Sequence, residues 1–293
     1  MKYRIMRILM VLILGVALVL VSGCTDTLGP GDAPDDEMTE EEIQEDMVDE
    51  PEEEADELAG EEDAEDTMEA PVQELEKETF KDPTSGSIMD TADFTDPVEN
   101  TYFPLTIGTT YIYQGGDEGS IEVEMYVTDQ TKEIMGVTTM VVREREWENG
   151  ELTEDSLCWY ANDNEGNVWY FGEDTREYDY NAVEMISTTG SWEAGVDGAE
   201  PGILMKADPQ VGDVYQQEYY KGEAEDMAEV LSLDASATVE YGSFDNCLQT
   251  KEWTALEPGV EEHKYYASGV GLLLEVAVTE GNERIELVEI TNE

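Results

Sequence analysis

The chain has 293 residues, and its 73 acidic residues against 14 basic ones give a formal net charge of −59. Nucleic acids and anionic lipid surfaces are themselves polyanions, so this charge excludes both as electrostatic partners. It permits cations, basic proteins or no charged partner at all.

The N-terminus has the pattern of an export signal. Lys2, Arg4 and Arg7 precede an uncharged apolar run over residues 8–21. A helix of that length spans about 21 Å, which is less than the roughly 30 Å hydrocarbon core of a membrane and is typical of a signal peptide. We therefore expect residues 1–23 to be a signal peptide.

The run ends in Val21-Ser22-Gly23-Cys24, which resembles the lipobox of bacterial and archaeal lipoproteins. Val21 stands where Leu is commoner. The resemblance implies lipid modification of Cys24 and anchoring at the extracytoplasmic face of the cell membrane, in the periplasm or at the cell surface. Two acyl chains anchor a protein stably, whereas one does so marginally. The alternative is an ordinary secretory signal with a chance cysteine, or an uncleaved anchor.

Residues 24–100 have the composition of a disordered acidic tether. From Thr25 to Asn100 there are 31 Asp or Glu and two basic residues, Lys77 and Lys81. Low hydrophobicity with high like charge cannot offset the entropy of ordering. A flexible chain of about 75 residues reaches roughly 50 Å, which suits a spacer between a membrane and a domain. A low-affinity reservoir for Ca²⁺ or other cations is the alternative.

From residue 101 the sequence predicts an all-β domain over 101–293. Apolar residues alternate with polar ones, as in Ile121-Glu-Val-Glu-Met-Tyr-Val127, and Asn149-Gly150 is a strong hairpin signal. We expect a single curved antiparallel sheet or half-open barrel of about ten to twelve strands. The segment 222–233 fits either a helix or a strand. The other predicted strands cover residues 109–114, 120–128, 137–147, 152–161, 168–171, 178–186, 214–220, 235–241, 247–253, 263–267, 271–278 and 284–290.

Two segments of this domain resemble a set of uncharacterised prokaryotic exported proteins. They are Phe103-Pro-Leu-Thr-Ile-Gly-Thr-Thr-Tyr-Ile-Tyr113 and Lys264-Tyr-Tyr-Ala-Ser-Gly-Val-Gly-Leu272. Ser268 stands where those proteins often have Pro or Lys. The resemblance implies a curved antiparallel sheet similar to periplasmic lipoprotein-carrier folds with a concave apolar face. It implies no activity.

Catalytic and metal-binding motifs are absent from the sequence. The one histidine, His263, has no Gly-x-Ser-x-Gly elbow to serve, and there is no Cys-x-x-Cys pair or phosphate-binding glycine loop. Carboxylates are so numerous that a carboxylate-dependent hydrolase stays open. We expect no cofactor, with an incidental surface Ca²⁺ as the alternative.

The candidate ligand-binding residues centre on the glycine-rich loop 190–202, which holds Trp192, Glu193 and Asp197. Long irregular loops in compact domains are often binding loops. Trp169 and Tyr266 belong to aromatic runs that could line the same cleft. The alternative places Trp192 in the core and the glycines in tight turns.

Cys158 and Cys247 could form a disulfide outside the cytoplasm, and two separate buried thiols are the alternative.

These features favour a non-catalytic, lipid-anchored binding or interaction module whose partner is an envelope protein, a glycan or a lipid. Three alternatives remain open. A lipid or lipoprotein carrier requires a dry cavity inside a curved sheet. A hydrolase requires two carboxyl groups about 5–10 Å apart in a cleft. A structural envelope lipoprotein requires no site.

Overall fold

The structure is a computed structural model that describes residues 89–179, 184–279 and 283–293, without the side chain of Asp117. The signal peptide, Cys24 and most of the acidic tether lie outside the described residues. Within the described ranges, no helix combines the length and the apolar character needed to cross a bilayer.

The described residues form fifteen β-strands and two short 3₁₀ turns, at Thr91–Phe94 and Asp117–Gly119. The strands are β1 (Thr109–Gly115), β2 (Ile121–Ile134), β3 (Val137–Glu148), β4 (Glu151–Asn162), β5 (Val168–Tyr178), β6 (Met185–Ser187), β7 (Trp192–Glu193), β8 (Glu200–Met205), β9 (Val214–Gln216), β10 (Glu218–Tyr219), β11 (Asp226–Val239), β12 (Gly242–Thr254), β13 (Glu262–Ala267), β14 (Gly271–Ala277) and β15 (Arg284–Asn292).

The all-β prediction is confirmed, and several details differ from it. Asn149 and Gly150 both have positive φ, 52° and 81°, as a type I′ hairpin turn requires. The ambiguous segment 222–233 enters strand β11. The predicted strand 178–186 is instead the end of β5 and the short β6, with residues 180–183 outside the description. The loop 190–202 contains β7 and the start of β8, because both pair with β5.

All strand pairs are antiparallel, and thirteen strands follow one another in the order β10-β8-β5-β4-β3-β2-β1-β15-β14-β13-β12-β11-β9. The two ends of this order, β9 and β10, are consecutive in the chain. Residues 214–219, here called the closing segment, pair with β11 through β9 and with β8 through β10. The sheet is therefore nearly closed and barrel-like, with more strands and a more complete closure than the predicted half-open form of ten to twelve strands.

Gln217 joins the two halves of the closing segment. Its backbone N–H donates to the carbonyl of Asp226 at 2.8 Å, and its fully buried side chain donates to the carbonyl of Leu204 at 3.2 Å. On the other side lies Gly202, where a Cβ atom would overlap the backbone of Gln217. Glycine at position 202 is thus what allows β8 to approach the closing segment.

The two segments that carry the family resemblance pack against each other. The backbone N–H of Gly269 donates to the carbonyl of Thr101 at 2.6 Å, and Gly271 lies against the ring of Pro104. Phe103 is buried, with its ring centroid 5.3 Å from that of Tyr160. Residues 101–104 therefore pack against the turn before β14, and Phe103 reaches into the interior of the sheet.

Residues 89–100 lie on the sheet, although the composition placed them in the tether. The ring of Phe94 makes edge contacts with Trp169 at 5.9 Å and Phe171 at 5.8 Å. The backbone N–H of Asp96 donates to Asn164 at 2.6 Å, and that of Val98 to a neighbouring carbonyl at 3.0 Å. The ring of Phe94 and these backbone hydrogen bonds hold residues 89–100 against the sheet, although the segment is acidic.

Gly202→Ala should destabilise the fold by at least about 2 kcal/mol, because its Cβ meets backbone that cannot rotate away. Gly242→Ala is the matched control, since that Cβ would meet only the ring of Phe244, at 3.2 Å. Urea unfolding of both variants tests this. A Gly202→Ala variant as stable as the control would contradict the close approach at the closing segment.

Candidate functional site

The inner face of the sheet is lined with carboxyl groups. Side chains alternate between faces along a strand, and in β13 Glu262, Lys264 and Tyr266 face inward while His263 and Tyr265 are less buried. The buried acidic residues on the strands are Glu146, Glu173, Glu218, Asp226, Glu252, Glu262 and Glu275. Among the residues that the structure describes, Lys264 is the one basic side chain buried to the same degree.

Lys264 stands among three of these carboxyl groups. Its Nζ lies 2.9 Å from Glu252, 3.4 Å from Glu275 and 3.9 Å from Glu262, and its side chain is 1% exposed. Burial opposes the charged form, but the carboxylates of Glu252, Glu275 and Glu262 outweigh it and raise the pKa of Lys264 well above its usual 10.5. Lys264 therefore holds a full positive charge in the interior.

One cation cannot neutralise three buried carboxyl groups, so some of them keep a proton. Burial and the neighbouring Glu262 raise the pKa of Glu275 well above 4.5. Burial raises the pKa of Glu262 to about 7, although Lys264 pulls it down. At neutral pH Glu262 is therefore near its midpoint, and Glu275 keeps its proton to a higher pH than an exposed glutamate does.

A second acidic pair lies between β10 and β11. Glu218 and Asp226 are each 2% exposed, and their carboxyl groups interact electrostatically. The indole N–H of Trp192 donates to Glu218 at 3.0 Å. Burial and the facing Asp226 raise the pKa of Glu218 well above 4.5, and burial raises that of Asp226 to about 7.

These groups form one continuous interior network. Asp226 lies within electrostatic range of Glu252 and Lys264, and the hydroxyl of Tyr266 donates to Glu252 at 3.3 Å. Trp192 and Tyr266 are therefore connected through the carboxyl groups between them. The alternation of side chains along a strand indicates which residues share a face. It does not indicate that the face with the charged residues lies inside the sheet.

The structure places the three predicted aromatic ligand residues in the core. Trp192 is 5% exposed, Trp169 donates its indole N–H to Asp163 at 2.9 Å, and Tyr266 is buried in the network. This burial fits the alternative in which Trp192 is a core residue. A ligand site formed by these residues stays a prediction.

Glu193 and Asp197 remain near the surface. Glu193 pairs with Lys132 at 2.8 Å, and Lys132 lies 3.2 Å from the ring centroid of Trp159. Asp197 is exposed in a turn, with a φ of 50°. Neither carboxylate shares a surface with the buried rings, so the five predicted residues do not meet in one exposed cleft.

Cys158 and Cys247 are both free and buried in the structure, as the alternative to a disulfide described. They lie on β4 and β12, which are not neighbours in the sheet. The thiol of Cys158 is 3.9 Å from Glu173.

Asp163 accounts for the turn at residues 162–167. Its two carboxylate oxygens accept from the backbone N–H groups of Glu165 and Asn167, the side chain of Asn167 and the indole of Trp169. An Asp side chain that accepts from the backbone N–H two residues on is typical of a turn. Within the described ranges, no group of three or more His, Cys, Asp or Glu residues is arranged to hold a metal ion.

A recess of about 440 Å³ lies on the surface where the β3–β4 hairpin meets the start of β2. The backbone N–H of Asn149 donates to the carbonyl of Ser120 at 2.7 Å and fixes the hairpin tip there. The guanidinium of Arg145 lies 5.1 Å from the ring centroid of Trp147. The lining residues are Gly119, Ser120, Glu122, Trp147, Asn149 and Gly150. The sequence marked Asn149-Gly150 only as a turn, so this recess was not predicted.

The interior carries charged groups where the resemblance implied an apolar face. The resemblance implied a concave apolar face, whereas the inward positions of β11–β14 carry carboxyl groups and Lys264. The acidic pair Glu218 and Asp226 is 2% exposed on both sides. A carboxylate-dependent hydrolase stays a prediction.

Two crystal structures resemble the chain, with 14% identity in each case. One is a candidate exported protein with a YmcC-like fold from Bacteroides fragilis, at a TM-score of 0.40, and the other is a candidate lipoprotein from Parabacteroides distasonis, at 0.38. Each match covers 66% of this chain and 100% of the other. No protein-family model matches the chain, and no curated protein matches it.

Lys264→Met should cost about 3–5 kcal/mol of stability at pH 8, because it leaves buried carboxylates without their cation. The cost should shrink at pH 5, where Glu262 and Glu275, whose pKa values are raised, take up protons instead. Lys251→Met is the matched control, since Lys251 pairs with Glu229 near the surface and should contribute about 1 kcal/mol or less. Equal losses in the two variants at pH 8 would contradict the central role of Lys264.

The folded protein should lose stability as the pH rises from about 4.5 to about 7. Asp226 and Glu262 have folded pKa values of about 7 against usual values of 3.8 and 4.5, so the native state binds more protons than the unfolded state in this window. The stability that these two groups contribute is complete below their unfolded pKa values, and its loss as the pH rises through 7 is on the order of 3 kcal/mol or more. Urea unfolding at pH 5, 6, 7 and 8 in constant high salt measures it. An Asp226→Asn, Glu262→Gln double variant should give a flatter curve, and a wild-type curve that rises with pH would exclude the proton uptake.

Proposed function

We propose that this protein is a lipid-anchored, extracytoplasmic, non-catalytic binding module whose ligand site is the recess at Trp147. The observation that carries the proposal is that recess, because it joins an aromatic ring and polar side chains on the outer surface of a nearly closed sheet. Its volume lies in the range of about 300–1,000 Å³ typical of small-molecule sites.

The lining chemistry favours a neutral, hydroxylated ligand such as a glycan. Trp147 offers a flat apolar surface, Glu122 and Ser120 offer hydrogen-bond acceptors, and Ser120 also offers a donor. An anionic ligand would meet Glu122 and the strongly negative charge of the whole chain. Among the partners that the sequence left open, a glycan therefore suits the recess better than an anionic lipid.

The membrane anchor rests on Val21-Ser22-Gly23-Cys24 and on the acidic segment after it. These residues resemble a lipobox, and the segment is long enough to hold the sheet away from a membrane. A structural envelope lipoprotein has the same anchor but no use for the recess, so ligand binding distinguishes the two functions.

Trp147→Ala should abolish binding of neutral tri- and tetrasaccharides to the full mature chain, or weaken it about tenfold or more, because it removes the stacking surface. Trp253→Ala is the matched control: Trp253 also carries a stacked cation, Lys251 at 4.7 Å, but does not line the recess. An array of such oligosaccharides measures both. If the wild type binds none of them, or if both variants lose binding equally, the recess is not a glycan site.

Cys24→Ser should release the protein from the membrane fraction. Mass spectrometry of the wild-type mature N-terminus should find a diacylglyceryl-modified Cys24 as the first residue, since two acyl chains are needed for stable anchoring. A wild-type mature chain that begins elsewhere would contradict the anchor, whatever the outcome of the glycan measurement.

A further inference from the structure

The closing segment is held more weakly on the β8 side than on the β11 side. Toward β11 it makes three residue pairs and the backbone hydrogen bond from Gln217 to Asp226. Toward β8 it makes two residue pairs, Glu218 with Pro201 and Tyr219 with Glu200, and one side-chain hydrogen bond, from Gln217 to the carbonyl of Leu204. Pro201 has no backbone N–H to donate. The β8–β10 ladder is therefore the edge at which the nearly closed sheet would open first.

Glu218 stands at this edge with ionisable or polar groups on every side. Trp192 on β7 donates to it, Glu173 and Tyr170 face it from β5, and Asp226 faces it from β11. Behind Asp226 lie Thr254 and Glu252 on β12 and Lys264 on β13. Lys264 is already engaged by Glu252, Glu262 and Glu275, so no further cation stands next to Glu218 among these groups.

With its proton, Glu218 satisfies both neighbours. A hydroxyl on Glu218 is able to donate to the facing Asp226, while the carboxyl group accepts from the indole N–H of Trp192 at 3.0 Å. Without the proton, Glu218 and Asp226 are two buried carboxyl groups in contact, with Glu173 close by. An uncompensated buried charge costs several kcal/mol, which exceeds what a ladder of two residue pairs contributes.

We propose that the Glu218–Asp226 pair is a proton-dependent latch of the sheet. When Glu218 is protonated, the closing segment bridges β8 and β11. When Glu218 loses its proton, residues 217–219 separate from β8, and water reaches the carboxylates at that edge. The β9–β11 side of the segment stays paired, because it does not depend on Glu218.

The latch rests on interior geometry and is independent of the glycan recess and of the membrane anchor. The recess lies at the β3–β4 hairpin, whereas the latch lies between β8 and β11. Failure of either proposal therefore leaves the other intact.

Hydrogen exchange of the full mature chain at pH 5.5, 7 and 8.5 tests the latch, after correction for the intrinsic pH dependence of amide exchange. The opening of residues 214–219 should rise by up to about tenfold per pH unit, since each opening releases one proton. Peptides from the β3–β4 hairpin should keep their protection. Constant protection of the closing segment would overturn the proposal, and so would simultaneous loss in both regions, which indicates global unfolding instead.

Glu218→Gln should remove the pH response of the closing segment, because the amide keeps a donor for Asp226 and an acceptor for Trp192 without ionising. Glu200→Gln is the matched control, since Glu200 is exposed on β8 at the same edge. It should respond to pH like the wild type. A Glu218→Gln variant that keeps the full response overturns the latch, and if that variant does not fold, the wild-type comparison of the two regions decides alone.

Discussion

The interior of this sheet holds more carboxyl groups than it has cations to neutralise them. Lys264 compensates for only part of the charge of Glu252, Glu262 and Glu275, so the fold depends on protons that the remaining acids retain. Buried ionic groups seldom add net stability compared with apolar packing. Here they connect β10–β14, the strands that complete the closure, so the most polar part of the interior is also where the sheet is joined to itself.

On the outer surface, in contrast to the interior, nearly every basic side chain has a carboxylate partner. Apart from the buried Lys264, seven of the eight basic residues in 101–293 pair with a carboxylate, for example Arg143 with Asp155 through two hydrogen bonds. Most remaining surface acids face solvent, where salt screens their repulsion over about 8–10 Å. The chain can therefore carry a very high negative charge provided that its few cations lie beside strands that need a partner, as Arg145 does beside Glu124 and Trp147.

The alternation of apolar and polar residues predicted most strands, because a strand with one buried and one exposed face has apolar and polar residues in turn. It failed where both faces carry polar residues. In Glu262-His-Lys-Tyr-Tyr-Ala267 the inward side chains are the charged ones, so a rule that puts apolar residues inside selects the wrong face. The burial of Trp192 could not be predicted either, since its partner Glu218 lies 26 residues away and becomes a neighbour only through the closure of the sheet. The recess at Trp147 likewise depends on the contact between two turns that are distant in the sequence.

Residues 89–100 connect the acidic segment to the sheet, and this has a mechanical consequence. Any pull on the N-terminal chain enters the domain through Phe94 and the hydrogen bonds to Asn164. These contacts attach to β5 and to the turn between β4 and β5, and in the strand order only β8 separates β5 from β10 of the closing segment. Tension on the N-terminal chain therefore has to break these side-chain and backbone contacts before it acts on the hydrogen-bonded ladders of the sheet.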